Sequence, residues 1–165
     1  MTVRPPAGRA SGARHRWLSY GIGFGVLLVD QLSKAWAVQH LQGPTVKPLL
    51  PGLLDLHLTF NTGAAFSLFT GSTRPLALVS LIVAAAVVVW LQRQRQLGLW
   101  RAWAVGLLLG GALGNGIDRW RLGAVVDFLA LVPIRFPVFN LADVAINAAV
   151  VCFLIELLLQ ERQGP

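Results

Sequence analysis

Four long apolar runs constrain this chain more than any other feature of its sequence. They lie at about Trp17–Val38, Pro75–Leu91, Leu99–Ile117 and Val138–Leu159. A helix of about 20 apolar residues crosses the ~30 Å hydrocarbon core of a bilayer. Of the 165 residues, 55% are hydrophobic and only 13% are charged. That charged share is about half the usual one for a soluble domain. A soluble globule of this size could not hide so much apolar surface. The expectation is a mainly α membrane protein, a bundle of four transmembrane helices over residues 17–38, 75–91, 99–117 and 138–159.

The same counts exclude other classes. A single cysteine, Cys152, forms no internal disulfide and is too little for a structural zinc site. His15, His40 and His57 are scattered, so no metal and no cofactor is expected. The net charge of +7 could suggest nucleic acid, but its distribution points to topology instead. Arg4, Arg9, Arg14 and Arg16 crowd the first 16 residues, and Arg93, Arg95 and Arg101 crowd one short loop. Basic clusters beside apolar runs mark the cytoplasmic side. Residues 1–16 read as a disordered basic cytoplasmic tail, 17–159 as one membrane-embedded domain and 160–165 as a second cytoplasmic tail. Residues 39–74 and 118–137 then face outward. A cleavable signal peptide ending at Ala35-Trp36-Ala37 competes with this reading. The apolar run resumes past Asp30, which suits a retained helix better.

The outward stretch carries a strand signal. Leu54-Asp55-Leu56-His57-Leu58-Thr59-Phe60-Asn61 alternates apolar and polar residues with period two. Its apolar face would be Leu54, Leu56, Leu58 and Phe60, resting on the membrane surface or on partner strands. A lone strand is unstable, so a small outward-facing sheet between spans 1 and 2 is expected, with Ala124–Phe128 a further extended candidate.

Seven acids serve the whole chain, and two of them, Asp30 and Asp143, fall inside apolar runs. A carboxylate there costs at least ~2.5–3.5 kcal/mol, so such residues face a bundle interior and suggest function. Asn140, Asp143 and Asn147 share one helix face at spacings i, i+3, i+7. That polar stripe is either a site or interhelical hydrogen bonding. Asp127, in Val125-Val126-Asp127-Phe128, gains meaning if the chain from Phe128 to Pro137 folds back and brings it to Asp143. Two carboxylates in one site cannot both ionise easily, so they share a proton. One can then take a proton from water while the other polarises a peptide carbonyl, which is aspartic-protease chemistry. Asp30 and Lys34, at i, i+4, read as an intramembrane ion pair. The ladder Gly106, Gly110, Gly114, with Gly111 beside it, reads as a packing face that leads into Asn115, Asp118 and Arg119. Arg119 either pairs with Asp118 or binds a substrate carbonyl or lipid headgroup. Asn61-Thr62-Gly63-Ala64-Ala65-Phe66 is either a close backbone approach to a ligand or a plain turn. A proton-coupled transporter using Asp30, Lys34 and Asp143, and a purely structural assembly factor, are the competing functional readings.

Five segments in order resemble the bacterial lipoprotein signal peptidase family, also called signal peptidase II or prolipoprotein signal peptidase. They are Asp30-Gln31-Leu32-Ser33-Lys34, the Asn61–Phe66 turn, Gly110 through Arg119, Val126-Asp127-Phe128 and Phe139-Asn140-Leu141-Ala142-Asp143. The resemblance implies an aspartic endopeptidase of the bacterial inner membrane, with both termini cytoplasmic and its site at the outer face. Its substrates would be lipid-modified prolipoproteins, cut just before the diacylglyceryl-cysteine. It further implies Asp127 and Asp143 as the catalytic pair. Asn61, Gly63, Asn115, Arg119 and Asn140 would line the substrate site, with Asp30, Lys34 and Asp118 as structural support. Membrane lipids and a globomycin-type inhibitor are the other expected partners, with no nucleic acid. The family's outward β-cradle agrees with the period-two strand, and its membrane-parallel helical arm would fall in part of 62–74.

Overall fold

The computed structural model describes residues 7–43, 46–63, 71 and 73–161, with side chains from Gly12 onward. Four helices and three strands follow one another as α1 (Ala7–His40), β1 (Lys47–Leu50), β2 (Leu54–Asn61), α2 (Thr73–Arg93), α3 (Leu99–Leu122), β3 (Val125–Leu131) and α4 (Leu141–Glu161). Two bounds differ from expectation. Residues 7–16 are helical and continue into the first apolar run, and α4 begins at Leu141 because Asn140 caps it. The proposed arm, and Ala64–Phe66 of the turn, lie outside the described residues.

Helix α3 is the centre, packing on α1, α2 and α4. Its glycines explain how. A Cβ on Gly106 would come 2.7 Å from the Ser19 carbonyl oxygen, and one on Gly110 2.6 Å from that of Gly23. A Cβ on Gly114 would collide with the Asp30 carboxylate. This every-fourth-residue ladder therefore lets the α1 backbone sit directly on α3. Gly111 points elsewhere: its Cβ would meet the Ala142 carbonyl at 2.7 Å, so it belongs to the α4 contact. There α4 answers with small residues of its own, buried Ala142, Ala145 and Ala149. Gly110→Ala is expected to lose about 1–3 kcal/mol through overpacking. Gly25→Ala, with nothing within 4 Å of the new methyl, should be neutral or slightly stabilising. Thermal unfolding of both in detergent checks this, and equal melting temperatures for the two variants would refute it.

Helices α2 and α4 are long and apolar enough to cross a bilayer, with mean hydropathies of 2.3 and 2.2. Helix α1 carries polar groups on its α3 face and large apolar side chains outside, Trp17 and Phe24 being 71% and 68% exposed.

The sheet is antiparallel in the order β1-β2-β3. It is not confined to the stretch between the first two helices, since its third strand follows α3. Burial explains why: Phe128 and Leu129 of β3 close over Ala37, Leu41 and Leu56 in one apolar cluster. The period-two strand forms over the expected residues, but its face is broken. Leu54 and Leu56 pair with Leu131 and Leu129, whereas Thr59 and Asn61 pair with Asp127 and Val125, so the register shifts by one between Leu56 and Thr59. A bulge of this kind moves every later side chain to the opposite face. Phe60 is thereby left half exposed, and Asn61 joins the face that carries Asp127.

Candidate active site

Asp127 and Asp143 line the same cavity, of about 430 Å³, together with Asn61, Asn115, Arg119 and Asn147. They arrive there from different elements. Asp127 is buried in β3, and Asp143 sits in the first turn of α4, nearer the helix start than the sequence suggests. The fold-back between them is a short ladder: Phe139 donates its N–H to the Leu129 carbonyl (2.9 Å) and accepts from Leu129 N–H (2.9 Å) and Phe128 N–H (3.0 Å).

Asn140 links the two acids. Its Oδ1 accepts the Asp143 N–H (3.0 Å), while the Asp143 Oδ2 accepts the Asn140 N–H (3.2 Å), a reciprocal cap on the helix. The Asn140 Nδ2 donates to Asp127 Oδ1 (2.6 Å) and to Asn115 Oδ1 (3.0 Å). Asn115 in turn donates from Nδ2 to Asp143 Oδ1 (2.8 Å). On the far side, Asn61 Nδ2 donates to Asp127 Oδ2 (3.1 Å).

Amide orientations here follow from neighbours that can only donate. Gly63 N–H holds Asn61 Oδ1 (2.9 Å), Asp143 N–H holds Asn140 Oδ1, and the Lys34 ammonium holds Asn115 Oδ1 (2.9 Å). Each oxygen is therefore turned toward its donor, and each NH₂ is left to face a carboxylate. Burial pushes the Asp127 carboxyl up to about 6, and the nearby Asp143 charge adds to the rise, while hydrogen bonds from Asn61 and Asn140 pull it back. Folded Asp127 thus holds its proton more tightly than the unfolded chain does. Its contribution to stability is full below about pH 3.8 and lost as pH rises through about 6.

Beneath this cavity lies a buried cation. Lys34 Nζ contacts Asp30 Oδ2 and Asp118 Oδ2, each at 2.9 Å, besides Asn115. Both acids also hold backbone: Asp30 Oδ1 accepts the Ala142 N–H (2.9 Å) and Asp118 Oδ2 accepts the Val126 N–H (3.1 Å). Ala142 precedes Asp143 and Val126 precedes Asp127. The cluster therefore fixes the chain one residue before each cavity aspartate.

The i, i+4 ion pair is present, but as part of a three-element hub. Arg119 does not pair with Asp118, whose carboxylate Lys34 occupies. It donates to the Gly63 carbonyl (3.1 Å) and to the Asn115 carbonyl (3.3 Å), and its enclosed Nε has no partner among the described residues. Asn147 donates to the Asp143 carbonyl at 2.9 Å, so the third member of the polar stripe is an edge residue. Gln31 was missed by sequence reasoning. Its Nε2 reaches Asp118 Oδ1 (3.0 Å), Asp30 Oδ2 (3.3 Å) and the Gly114 carbonyl (3.3 Å). Its place beside Asp30 in an apolar run was the available signal.

Comparison with known proteins gives a consistent picture. The signal peptidase (SPase) II family profile matches residues 22–159. The lipoprotein signal peptidase of Parasynechococcus marenigrum (strain WH8102) is 57% identical over 132 residues, covering 80% of this chain and 83% of that protein. That of Synechococcus sp. (strain RCC307) is 54% identical over 137 residues, covering 82% and 91%. A bacterial membrane enzyme solved by the in meso method at 2.3 Å resolution superposes with a TM-score of 0.82 at 30% identity, over 89% of this chain and 91% of that one. With its profile, its relatives and its fold in agreement, the chain belongs to the signal peptidase II family.

Proposed function

We propose that this peptidase removes the signal peptide from diacylglyceryl-modified prolipoproteins by cutting before the lipidated cysteine, with Asp127 and Asp143 as its catalytic pair. The observation that carries the assignment is Asn140, which donates to one aspartate and is reciprocally bonded to the other within a single cavity. In the resting pair one proton is shared, held on Asp127 below about pH 6. Asp143 takes a proton from a water as its oxygen adds to the scissile carbonyl, and Asp127 protonates the carbonyl oxygen. When the tetrahedral adduct collapses, the C–N bond breaks, Asp143 returns its proton to the cysteine nitrogen, and Asp127 takes back a hydroxyl proton as the new carboxyl C=O forms. Asn61, Gly63, Asn115, Arg119 and Asn140 border the reacting peptide, and Asp30, Lys34 and Asp118 hold the two strand and helix ends.

In this proposal all four helices span a bacterial inner membrane, with both termini cytoplasmic and the sheet outward. Residues 17–159 form the single embedded domain, and membrane lipids and a globomycin-type inhibitor are its further partners. The large apolar side chains exposed on α1, α2 and α4 support a lipid surrounding. Lys34 spends its three donors on Asp30, Asp118 and Asn115 and none on Asp143, which disfavours the transporter relay.

Incubation of the purified protein with a lipidated prolipoprotein, followed by mass analysis, tests the proposal. The expected product begins with diacylglyceryl-cysteine, and an uncut substrate or a different new N-terminus would overturn it. The free-enzyme kcat/KM is expected to fall as pH rises through about 6, where the shared proton is lost. A flat profile from pH 5 to 8 would contradict the shared-proton mechanism.

A further inference from the structure

Helix α3 has two usable flanks. One faces α4 and carries the aspartate cavity. The other faces α2 and carries a groove of about 440 Å³ lined by Ala77, Leu81, Ala112, Leu113, Gly116 and Ile117. Its walls are mostly apolar, with Arg121 beside Trp120 at one end. The hydroxyl of Ser80, which also lines it, is already spent on the Leu76 carbonyl (3.1 Å). Away from the Arg121 end the surface offers little to water and suits an alkyl chain.

The groove and the aspartate cavity are linked by a cavity that borders both. This third cavity, of about 760 Å³, shares Ala77 and Trp120 with the groove and contains Arg74. It also shares Arg119 with the aspartate cavity. Arg119 thus borders both the aspartate cavity and the connecting one, and the exposed Trp120 borders the connecting cavity and the groove that runs down α3 to Ala112. From Trp120 to Ala112 the groove is about 12 Å long at the helical rise. That length and the apolar walls suit a single acyl chain lying along α3.

We propose that the groove between α2 and α3 receives one acyl chain of the lipid-modified cysteine, led there from the aspartate cavity past Arg119 and Trp120. This rests on the peptidase function proposed above and adds how a lipidated substrate is told from an unlipidated one. The Arg119 and Trp120 borders that lead from the aspartate cavity to the groove favour a substrate chain over a bulk phospholipid. Arg74 and Arg119 in the connecting cavity supply N–H donors for the glyceryl ester carbonyls at its mouth.

The test uses Leu81→Trp and Leu113→Trp, which fill the groove from opposite walls without touching the aspartate cavity. Two synthetic prolipoprotein peptides are compared in the same micelles. One carries dipalmitoyl and the other dihexanoyl glyceryl-cysteine, the latter too short to reach Leu113. Each variant is expected to raise KM for the dipalmitoyl peptide about tenfold, with kcat and the dihexanoyl KM unchanged. Taking the variant-to-parent ratio within each substrate cancels differences in micelle partitioning. A parallel rise for both peptides would mean that the groove holds bulk lipid or that the fold was disturbed, and the proposal fails. No change for either also overturns it. Asp127→Asn on the same two peptides separates the layers: continued cleavage there sinks the catalytic assignment, whatever the groove variants do.

Discussion

Asp127→Asn and Asp143→Asn should each lower kcat/KM by about four orders of magnitude, as loss of one member of a coupled catalytic unit does. In the proposed mechanism neither carboxyl can replace the other, because one accepts the water proton while the other supplies one to the carbonyl oxygen. The fold should survive both changes. Asp127 accepts from Asn140 and Asn61, and an asparagine there keeps one acceptor while its NH₂ faces the other donor. One lost hydrogen bond is worth about 1 kcal/mol, and removing a buried charge offsets part of it. At position 143 the same argument applies to Asn115 and the Asn140 N–H. Turnover of a lipidated prolipoprotein is measured beside melting temperature and inhibitor binding in detergent. Near-normal cleavage by either variant would remove the pair from the mechanism. A loss of turnover matched by loss of fold would reduce the two acids to structural roles.

The second large effect is expected at Lys34. Lys34→Ala leaves Asp30 and Asp118 buried with no cation, and stripping one partner from a buried ion group costs about 3–5 kcal/mol. Both acids are nearly inaccessible, so water cannot take over the role of the ammonium. The melting temperature should fall by more than any other single substitution discussed. Lys34→Met, which keeps most of the volume, should be nearly as harmful, because charge and not cavity dominates. Adding Asp30→Asn and Asp118→Asn to Lys34→Met should recover much of the loss, since no stranded charge remains. Equal melting temperatures for Lys34→Ala and its parent would refute the hub. Residual kcat should suffer less than stability, because Lys34 touches Asn115 but neither Asp127 nor Asp143.

Much of the molecule was legible along the chain. Apolar length announced α2 and α4, and a period of two announced β2 to the residue. The every-fourth glycines announced a packing face on α3, though not that α1 fills it. Asp143 in an apolar run announced an unusual site. The hub was half legible: Asp30 and Lys34 are one turn apart, whereas Asp118 joins them only because α3 lies on α1.

Sequence by itself determined most of the elements and the chemistry they carry, because helical and strand periods act over a few neighbouring residues; the helical start before Trp17 and strand β1 escaped it. Tertiary structure alone decided which of those groups meet. Asp127 became a partner of Asp143 when β3 closed over the Ala37–Leu56 cluster and the chain returned through Phe139. Asn61 turned toward Asp127 through one extra residue in β2, an offset that exists only relative to the paired strand. Arg119 was released to the cavity because Lys34 had already taken Asp118. These outcomes come from competition among groups distant along the chain for the same buried partners, and no local spacing encodes who wins.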